Sequence, residues 1–526
     1  MKKDYVIICL LSLLFFSLST LFLQLPGVYG EETLLAIGAS RWVRGEAFGF
    51  HSLWLGSFEF PLMITDRVGT LNTFLYLPAF SLLGANVFTM RLTSLSIGLL
   101  GILLFYVLTL RHFGRATAFM SGLLLSTLPF YSFLFRRGYL DDGLLPVILS
   151  GSLLCFSSFY NNKNQHSIHL GFFLLGLGLW NRLTFLWAIL ALGIIFIIYR
   201  PFKLSRKHMA FGVLFLLLGA FPFILYNLHP DFYGTNTVSR VHDATLQPSS
   251  HISNLDAFKN LTTRVIHIRN IFNNDFQKNF VPNPFFFPAF ILSIFYFAYQ
   301  MIKAKKKDRL MPALFIGLGL TVFFSSFTLT TFRHEHLTFI VPFLVLLIGK
   351  ALSDLAEKTR LLAYGLLALL ILFNLLSFAS VYTLLLNTGT NENQFSDWHS
   401  PSDSVYRLVN YLQEYNLSPV ILGSDIGTSI EFLSHGTIGF PICYLLSREA
   451  LQGCLGGENQ GYYLIRAQQS RMQWKNIKEA ILKEGTVAVV KEVFMNREST
   501  PEFILLKIEE EGRASDVEAY VQYRPV

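Results

Sequence analysis

Apolar runs almost free of charge recur along this chain at close to the length a helix needs to cross a bilayer, about 20 residues. Eleven lie at approximately 5–25, 89–110, 116–135, 140–160, 167–180, 183–199, 209–228, 282–302, 310–329, 336–353 and 361–386. In hydrocarbon the backbone N–H and C=O groups must be satisfied within the segment, so runs of this length read as helices. Of 526 residues, 52% are hydrophobic and only 14% charged, too few charges for a water-soluble core of this size. The chain therefore reads as an α-helical polytopic membrane protein with about 11 transmembrane helices.

Loop charges set the orientation. Lys2 and Lys3 precede the first run, and Leu25-Pro26-Gly27-Val28-Tyr29-Gly30 lacks a small-residue cleavage site, so the run reads as a signal anchor. With the N-terminus inside, several basic groups fall on the cytoplasmic side: Arg111 and Arg115; Lys163; Arg200, Lys203, Arg206 and Lys207; Lys303, Lys305 to Lys307 and Arg309; Lys350, Lys358 and Arg360. Residues 27–88, 229–281 and the tail from 387 onward then lie outside. The uncharged segment Leu71–Met90 reads as re-entrant or interfacial, because Pro78 and Gly84-Ala85-Asn86 interrupt it and counting it as a span would invert every later loop.

The tail is acidic and the membrane part basic. Residues 387–526 hold 12 Lys and Arg against 18 Asp and Glu, whereas residues 1–386 hold 30 against 16. The basic excess is explained by loop orientation and carries no nucleic-acid motif. In the tail, helical patterns such as Val405 to Tyr415 alternate with short β-type runs such as Pro419 to Gly423, which predicts a small C-terminal soluble α/β domain over 387–526. It has no GxGxxG or P-loop. Cys9 and Cys155 lie in apolar runs; Cys443 and Cys454 lie in the tail, where an oxidising compartment would permit a disulfide or leave two free thiols. No CxxC spacing suggests a metal site.

Three outer loops carry basic groups at the membrane edge, where short outer loops should be poor in them. These are Arg136-Arg137 with Asp141-Asp142 after the third run, Arg182 after the fifth, and Arg333-His334-Glu335-His336 after the ninth. Ionisable groups at this depth are costly and tend to face a polar cavity, so a shared anion such as a lipid-carrier phosphate would account for them. Arg suits phosphate because its planar fork donates paired hydrogen bonds. The competing reading makes each a snorkelling anchor balanced by a neighbouring acid. Glu31 and Glu32 open a helical pattern directly after the first run. Either the macrodipole favours them there, or one is a general base.

Taken in order, these features resemble the GT-C membrane glycosyltransferases, in the branch of the protein O-mannosyltransferases and the lipid A aminoarabinose transferase. The resemblance covers residues 1–386. It rests on Glu31-Glu32 at the family's acidic pair, on Phe74 to Leu83 with Gly84 and Arg91, on Ser121 to Pro129 followed by Arg136-Arg137 and Asp141-Asp142, and on Arg333 to Pro342. It departs from the family at Glu31, where Asp is usual, and at Gly69-Thr70-Leu71, where many members carry Pro-Pro.

The resemblance implies transfer of a sugar, with inversion, from a polyprenyl-phosphate carrier to a lipid, glycan or protein acceptor at the outer face. That face would be the periplasmic side of a bacterial inner membrane. Glu31 or Glu32 would be the base and Asp141 and Asp142 supporting acids. Arg136, Arg137, Arg182, Arg333, His334 and His336 would bind the lipid phosphate. A divalent metal stays open as a cofactor, since no compact ligand motif is present. The alternatives are a transporter or flippase of a lipid-linked anion, and an anchor presenting a periplasmic binding domain.

Overall fold

The computed structural model describes residues 2–162, 165–199, 206–239, 256–276, 280–303, 310–328, 332–389, 402–422, 426–440, 442–443, 461–469, 486–497, 499, 501–510 and 522–523. Lys163, Arg200, Lys203, Lys305 to Lys307 and Arg309, on which much of the orientation argument rests, lie outside the described residues. So does Cys454, together with the side chain of Cys443; Cys9 and Cys155 are free thiols.

The protein is mainly helical. In chain order come α1 (Lys2–Thr20), α2 (Gly30–Val43), strands β1 (His51–Leu55), β2 (Phe58–Thr65) and β3 (Val68–Gly69), then α3 (Leu71–Leu83), α4 (Val87–Ser126), α5 (Pro129–Arg136), α6 (Leu140–Asn162) and α7 (Gln165–Asn181). There follow α8 (Leu186–Tyr199), α9 (Arg206–Gly219), α10 (Phe221–Leu228), α11 (Ala257–Phe272), α12 (Phe286–Lys303), α13 (Leu310–Ser325), α14 (Val341–Lys358) and α15 (Arg360–Thr388).

Among the described residues, five helices are long and apolar enough to cross a bilayer, and a sixth span results if α9 and α10 count together across their 67° bend. The eleven runs of the sequence exceed this count because α4 holds parts of two of them in one 40-residue element, and because Leu183–Ile198, Phe286–Ile302 and Met311–Ser325 fall short of the length required. Gly114 breaks α4 into two helical parts, with φ of 84° and ψ of 172° that only glycine adopts easily. Pro129 starts α5 as a separate piece, its fixed φ suited to a first helical position. Helix α3 has 13 residues, about 20 Å, against a hydrocarbon core of about 30 Å.

The chain divides into two compact units, the first formed by Met1–Leu21, Ala47–Tyr76 and Arg91–Ser380. Within it α7 and α9 approach backbone to backbone. A Cβ on Gly176 would sit 2.1 Å from the Leu216 carbonyl oxygen, and one on Gly219 would sit 2.3 Å from that of Phe173. Small residues permit such contact where lipid supplies no hydrophobic drive between helices. A buried amide staple pins the segment after α11 to α15. Asn283 donates to the Leu370 carbonyl (3.0 Å) and to Asn374 (3.0 Å), and Ser377 donates to the Val281 carbonyl (2.6 Å). The antiparallel sheet β1-β2-β3 covers the end of α7, where the Trp180 indole packs with Leu62, Met63 and Tyr226 and donates to the Leu62 carbonyl at 2.7 Å.

The second unit is formed by Phe22–Glu46, Leu77–Met90 and Val381–Val526. Its C-terminal part holds a sheet in the order β5 (Ile442–Cys443), β4 (Val420–Leu422), β6 (Tyr462–Arg466), β8 (Pro501–Glu510), β7 (Thr486–Met495). Strand β4 runs parallel to β5 and β6, while β8 is antiparallel to β6 and β7. Helix α16 (Ser404–Glu414) buries Val405, Leu408, Val409 and Leu412, the i, i+3, i+4, i+7 stripe of an amphipathic helix. Helix α17 (Gly427–Leu433) packs against α2.

Candidate active site

The first unit gathers Asp141, Asp142, Arg182 and His336 into one buried network. Gly138, at φ 70°, turns the chain between α5 and α6, so that both acids fall in the first turn of α6, where the helix dipole favours them. Arg182 follows α7 in extended conformation (φ −154°), bridged to Val68 of β3, and the Leu183 N–H donates to the Arg67 carbonyl at 3.2 Å. The sheet thereby fixes where the guanidinium points.

Arg182 Nη1 pairs with Asp141 Oδ2, and Nη2 lies 3.5 Å from Asp142 Oδ2 and 3.2 Å from His336 Nδ1. His336 Nδ1 is 2.9 Å from Asp142 Oδ2. One nitrogen cannot accept from Arg182 while donating to Asp142. The shorter, charge-assisted contact with the carboxylate favours Nδ1–H donating to Asp142, and Nε2 is then the ring's other polar atom. Asn181 donates to the Asp141 carbonyl at 2.6 Å and tethers the start of α6. Arg67, on the β2–β3 turn, adds a positive charge felt by both Asp142 and His336. The two carboxylates thus orient the Arg182 guanidinium, and Arg67 supplies the second positive charge that balances them.

The other sequence-flagged residues divide. Arg136, 1% exposed, donates to the carbonyls of Ser19 (2.9 Å) and Leu21 and so caps the end of α1, where a cation complements the dipole. Arg137 is buried with its guanidinium over the Tyr139 ring at 5.3 Å. Arg333 lies 3.8 Å from buried Glu335, and His334 contacts Asn270 of α11 at 3.4 Å. Glu31 and Glu32 belong to the second unit, in the first turn of α2. Glu32 is 1% exposed and accepts from the Tyr29 N–H at 3.3 Å, half of a capping box, whereas Glu31 is half-buried.

Sequence reasoning passed over the face of α11. Arg264 is 1% exposed, lies over the Phe332 ring at 3.8 Å and donates to the Ser325 carbonyl at 3.2 Å; burial lowers its pKa to about 10, leaving it cationic at neutral pH. His267 contacts the Phe332 carbonyl at 3.0 Å, and its ring centroid is 4.2 Å from that of His334. Burial holds His267 well below its usual range, at about 4, so it is neutral there and donates through Nε2. The signal was available as Arg264, His267 and Asn270, three residues apart on one helix face. Among the described residues no three His, Cys, Asp or Glu side chains are arranged to hold a metal ion.

Residues 73–226 match the family model described as dolichyl-phosphate-mannose-protein mannosyltransferase. The fold is similar to ArnT from Cupriavidus metallidurans bound to undecaprenyl phosphate (14% identity, 96% of this chain and 98% of that one, TM-score 0.54). It is similar also to the apo state of the same protein (13%, 96% and 98%, 0.57). Over residues 73–226 the chain is similar to that mannosyltransferase family, and over nearly its whole length it has the fold of ArnT. The apo oligosaccharyltransferase of Archaeoglobus fulgidus is also similar in fold at 12% identity, over 88% of this chain and 69% of that one, with a TM-score of 0.53. Comparison with curated proteins finds no match. The family-model match runs from within α3 to within α10 and so contains Asp141, Asp142 and Arg182.

Proposed function

We propose that the chain transfers a sugar from a polyprenyl-phosphate carrier to an acceptor hydroxyl or phosphate at the outer face of a bacterial inner membrane. The proposal keeps eleven spans and places the C-terminal domain over 387–526 on the same face. The observation that carries it is Arg182, held in a fixed orientation with His336 by two buried acids in a GT-C fold. A similar protein, ArnT, is described as bound to undecaprenyl phosphate, which supports a lipid phosphate as the anion here.

In this reading Arg182 stabilises charge on the departing carrier phosphate as the bond to the anomeric carbon breaks, and His336 joins it by donating from Nε2 when both ring nitrogens carry protons. Arg67 and Arg333 add positive potential, and Asp141 and Asp142 hold the cation still. Glu31 takes the proton of the attacking acceptor, and Glu32 serves the helix as its capping carboxylate. Displacement from the opposite side inverts the anomeric centre. A flippase is not favoured, because the family match is to transferases.

The test is to incubate purified protein in nanodiscs with radiolabelled polyprenyl-phosphate sugars and a cell-envelope lipid extract. Label should move from at least one donor to a new acceptor, and should not move with Arg182→Gln. Donors that all remain intact with active-state protein would contradict the proposal.

A further inference from the structure

The C-terminal domain is the largest feature that the reaction above leaves without a task, yet it grips one particular helix. Within the second unit, α17 lies along α2, the helix that begins with Glu31 and Glu32. At one end Thr428 donates to the Gly30 carbonyl at 3.0 Å, and the Thr33 hydroxyl sits 3.0 Å from that of Thr428 and 3.3 Å from that of Ser429. At the other end Arg41 makes a two-pronged pair with Glu431, Nε to Oε1 at 2.6 Å and Nη2 to Oε2 at 2.7 Å.

The side chains of Arg41 and Glu431 are 25% and 19% exposed, so the pair is partly shielded from water. Arg44 adds a longer contact to Glu431 at 3.6 Å. Thr428 and Glu431 are three apart and share a face of α17. Thr33 and Arg41 lie about 80° apart around α2, and Glu31 lies about 160° from Thr33 and about 80° from Arg41 at 3.6 residues per turn. The entry to α2 is held as well. Tyr406 of α16 donates to the Gln24 carbonyl at 2.8 Å, and a Cβ on Gly27 would fall 1.7 Å from the Ser402 carbonyl oxygen.

We infer that the C-terminal domain is a positioning element for the reaction: Glu431 and Thr428 clamp α2 through Arg41 and Thr33 and so fix the Glu31 carboxylate. The inference rests on the reading of Glu31 as the base. A two-pronged Arg–carboxylate pair suits this task because it fixes rotation as well as distance. Glu431 and Arg41 touch no substrate in this account; they act through the helix.

The test is a double-mutant cycle on the full chain in nanodiscs, using the polyprenyl-phosphate sugar that the wild-type protein turns over. Arg41→Ala and Glu431→Ala should each lower kcat about 10- to 100-fold, since small misplacement of a reacting group costs this much, with KM for the donor unchanged. The double variant should lose no more than the worse single one, because the two act as a unit. Thr428→Val and Glu431→Gln, which keep shape, should lower kcat less, and guard against variants that fail to fold. Amide exchange across 30–43 should speed up in each variant.

Single variants with wild-type kcat and exchange, or losses that multiply in the double variant, overturn the clamp. Glu31→Gln run alongside separates the two readings. Full activity there sinks the base assignment whatever the clamp variants do; an inactive Glu31→Gln with fully active clamp variants overturns the clamp alone.

Discussion

Replacing Arg182 with Gln removes the cation from between two buried acids. The side chains involved are nearly out of water, with Arg182 at 11% exposure, Asp141 at 9% and Asp142 at 1%. Gln keeps a polar planar head but no charge, so two carboxylates are left facing His336 and Arg67 with less positive charge than they had. Breaking a buried ion pair by deleting one partner costs about 3–5 kcal/mol, far more than an exposed pair would. The same change should abolish turnover and weaken undecaprenyl-phosphate binding. The structural and functional losses separate in Arg182→Gln/Asp141→Asn, which removes one charge of each sign from the network. That double variant should regain about half or more of the lost stability, because replacing both partners is far cheaper than orphaning one. Its turnover should stay lost. Thermal midpoints in detergent and titration with undecaprenyl phosphate read the two properties on one preparation. A double variant that regains turnover along with stability would refute the assignment of Arg182 to the carrier phosphate and leave it a scaffold for α6.

Other predictions follow from single features. Glu31→Gln should lower kcat about 100- to 10,000-fold with donor binding intact, whereas Glu32→Gln should chiefly weaken the start of α2, seen as faster amide exchange there. His267, near 4 in the folded protein, picks up a proton more readily when unfolded, so its burial contributes full stability above about pH 6.5 and loses it as pH falls toward 4. The swing is on the order of 3 kcal/mol, and His267→Gln, which can still donate to the Phe332 carbonyl, should flatten the acid limb of a thermal-midpoint titration. Gly176→Val should prevent α7 and α9 from closing and lower the thermal midpoint strongly, while Gly193→Ala, whose added Cβ meets nothing within 4 Å, should not. Arg136→Met should loosen the end of α1, read as faster exchange over residues 17–21.

Apolar runs, breakers and misplaced charges were all legible in the chain because each acts locally. The Arg111–Arg115 segment around Gly114 divides α4 where the hydrophobic pattern does, whereas Pro129 starts α5 inside the single run 116–135, and Asp141, Arg182 and His336 stood out as ionisable groups at the membrane edge. Arg136 could not be separated from them by sequence. A cation at the membrane edge looks the same whether it awaits a ligand or caps a neighbouring helix, and only the position of Ser19 and Leu21 distinguishes the two. Arg67 escaped notice because its importance comes from the bridge of Val68 to Arg182, a pairing 114 residues apart. Arg264 and His267 fell in a segment read only as an outer loop, where the amphipathic face of α11 was overlooked. The grip of Glu431 on Arg41 spans 390 residues, and no local pattern encodes it.

The central claim is that the carrier's sugar–phosphate bond is broken in the site, and phosphorus-31 NMR of the donor during turnover tests it most directly. Each sugar transferred should convert one polyprenyl phosphodiester signal into a phosphomonoester, with the product's anomeric configuration opposite to the donor's. A donor whose phosphodiester signal persists while it redistributes between leaflets, or a product of retained configuration, would contradict the account.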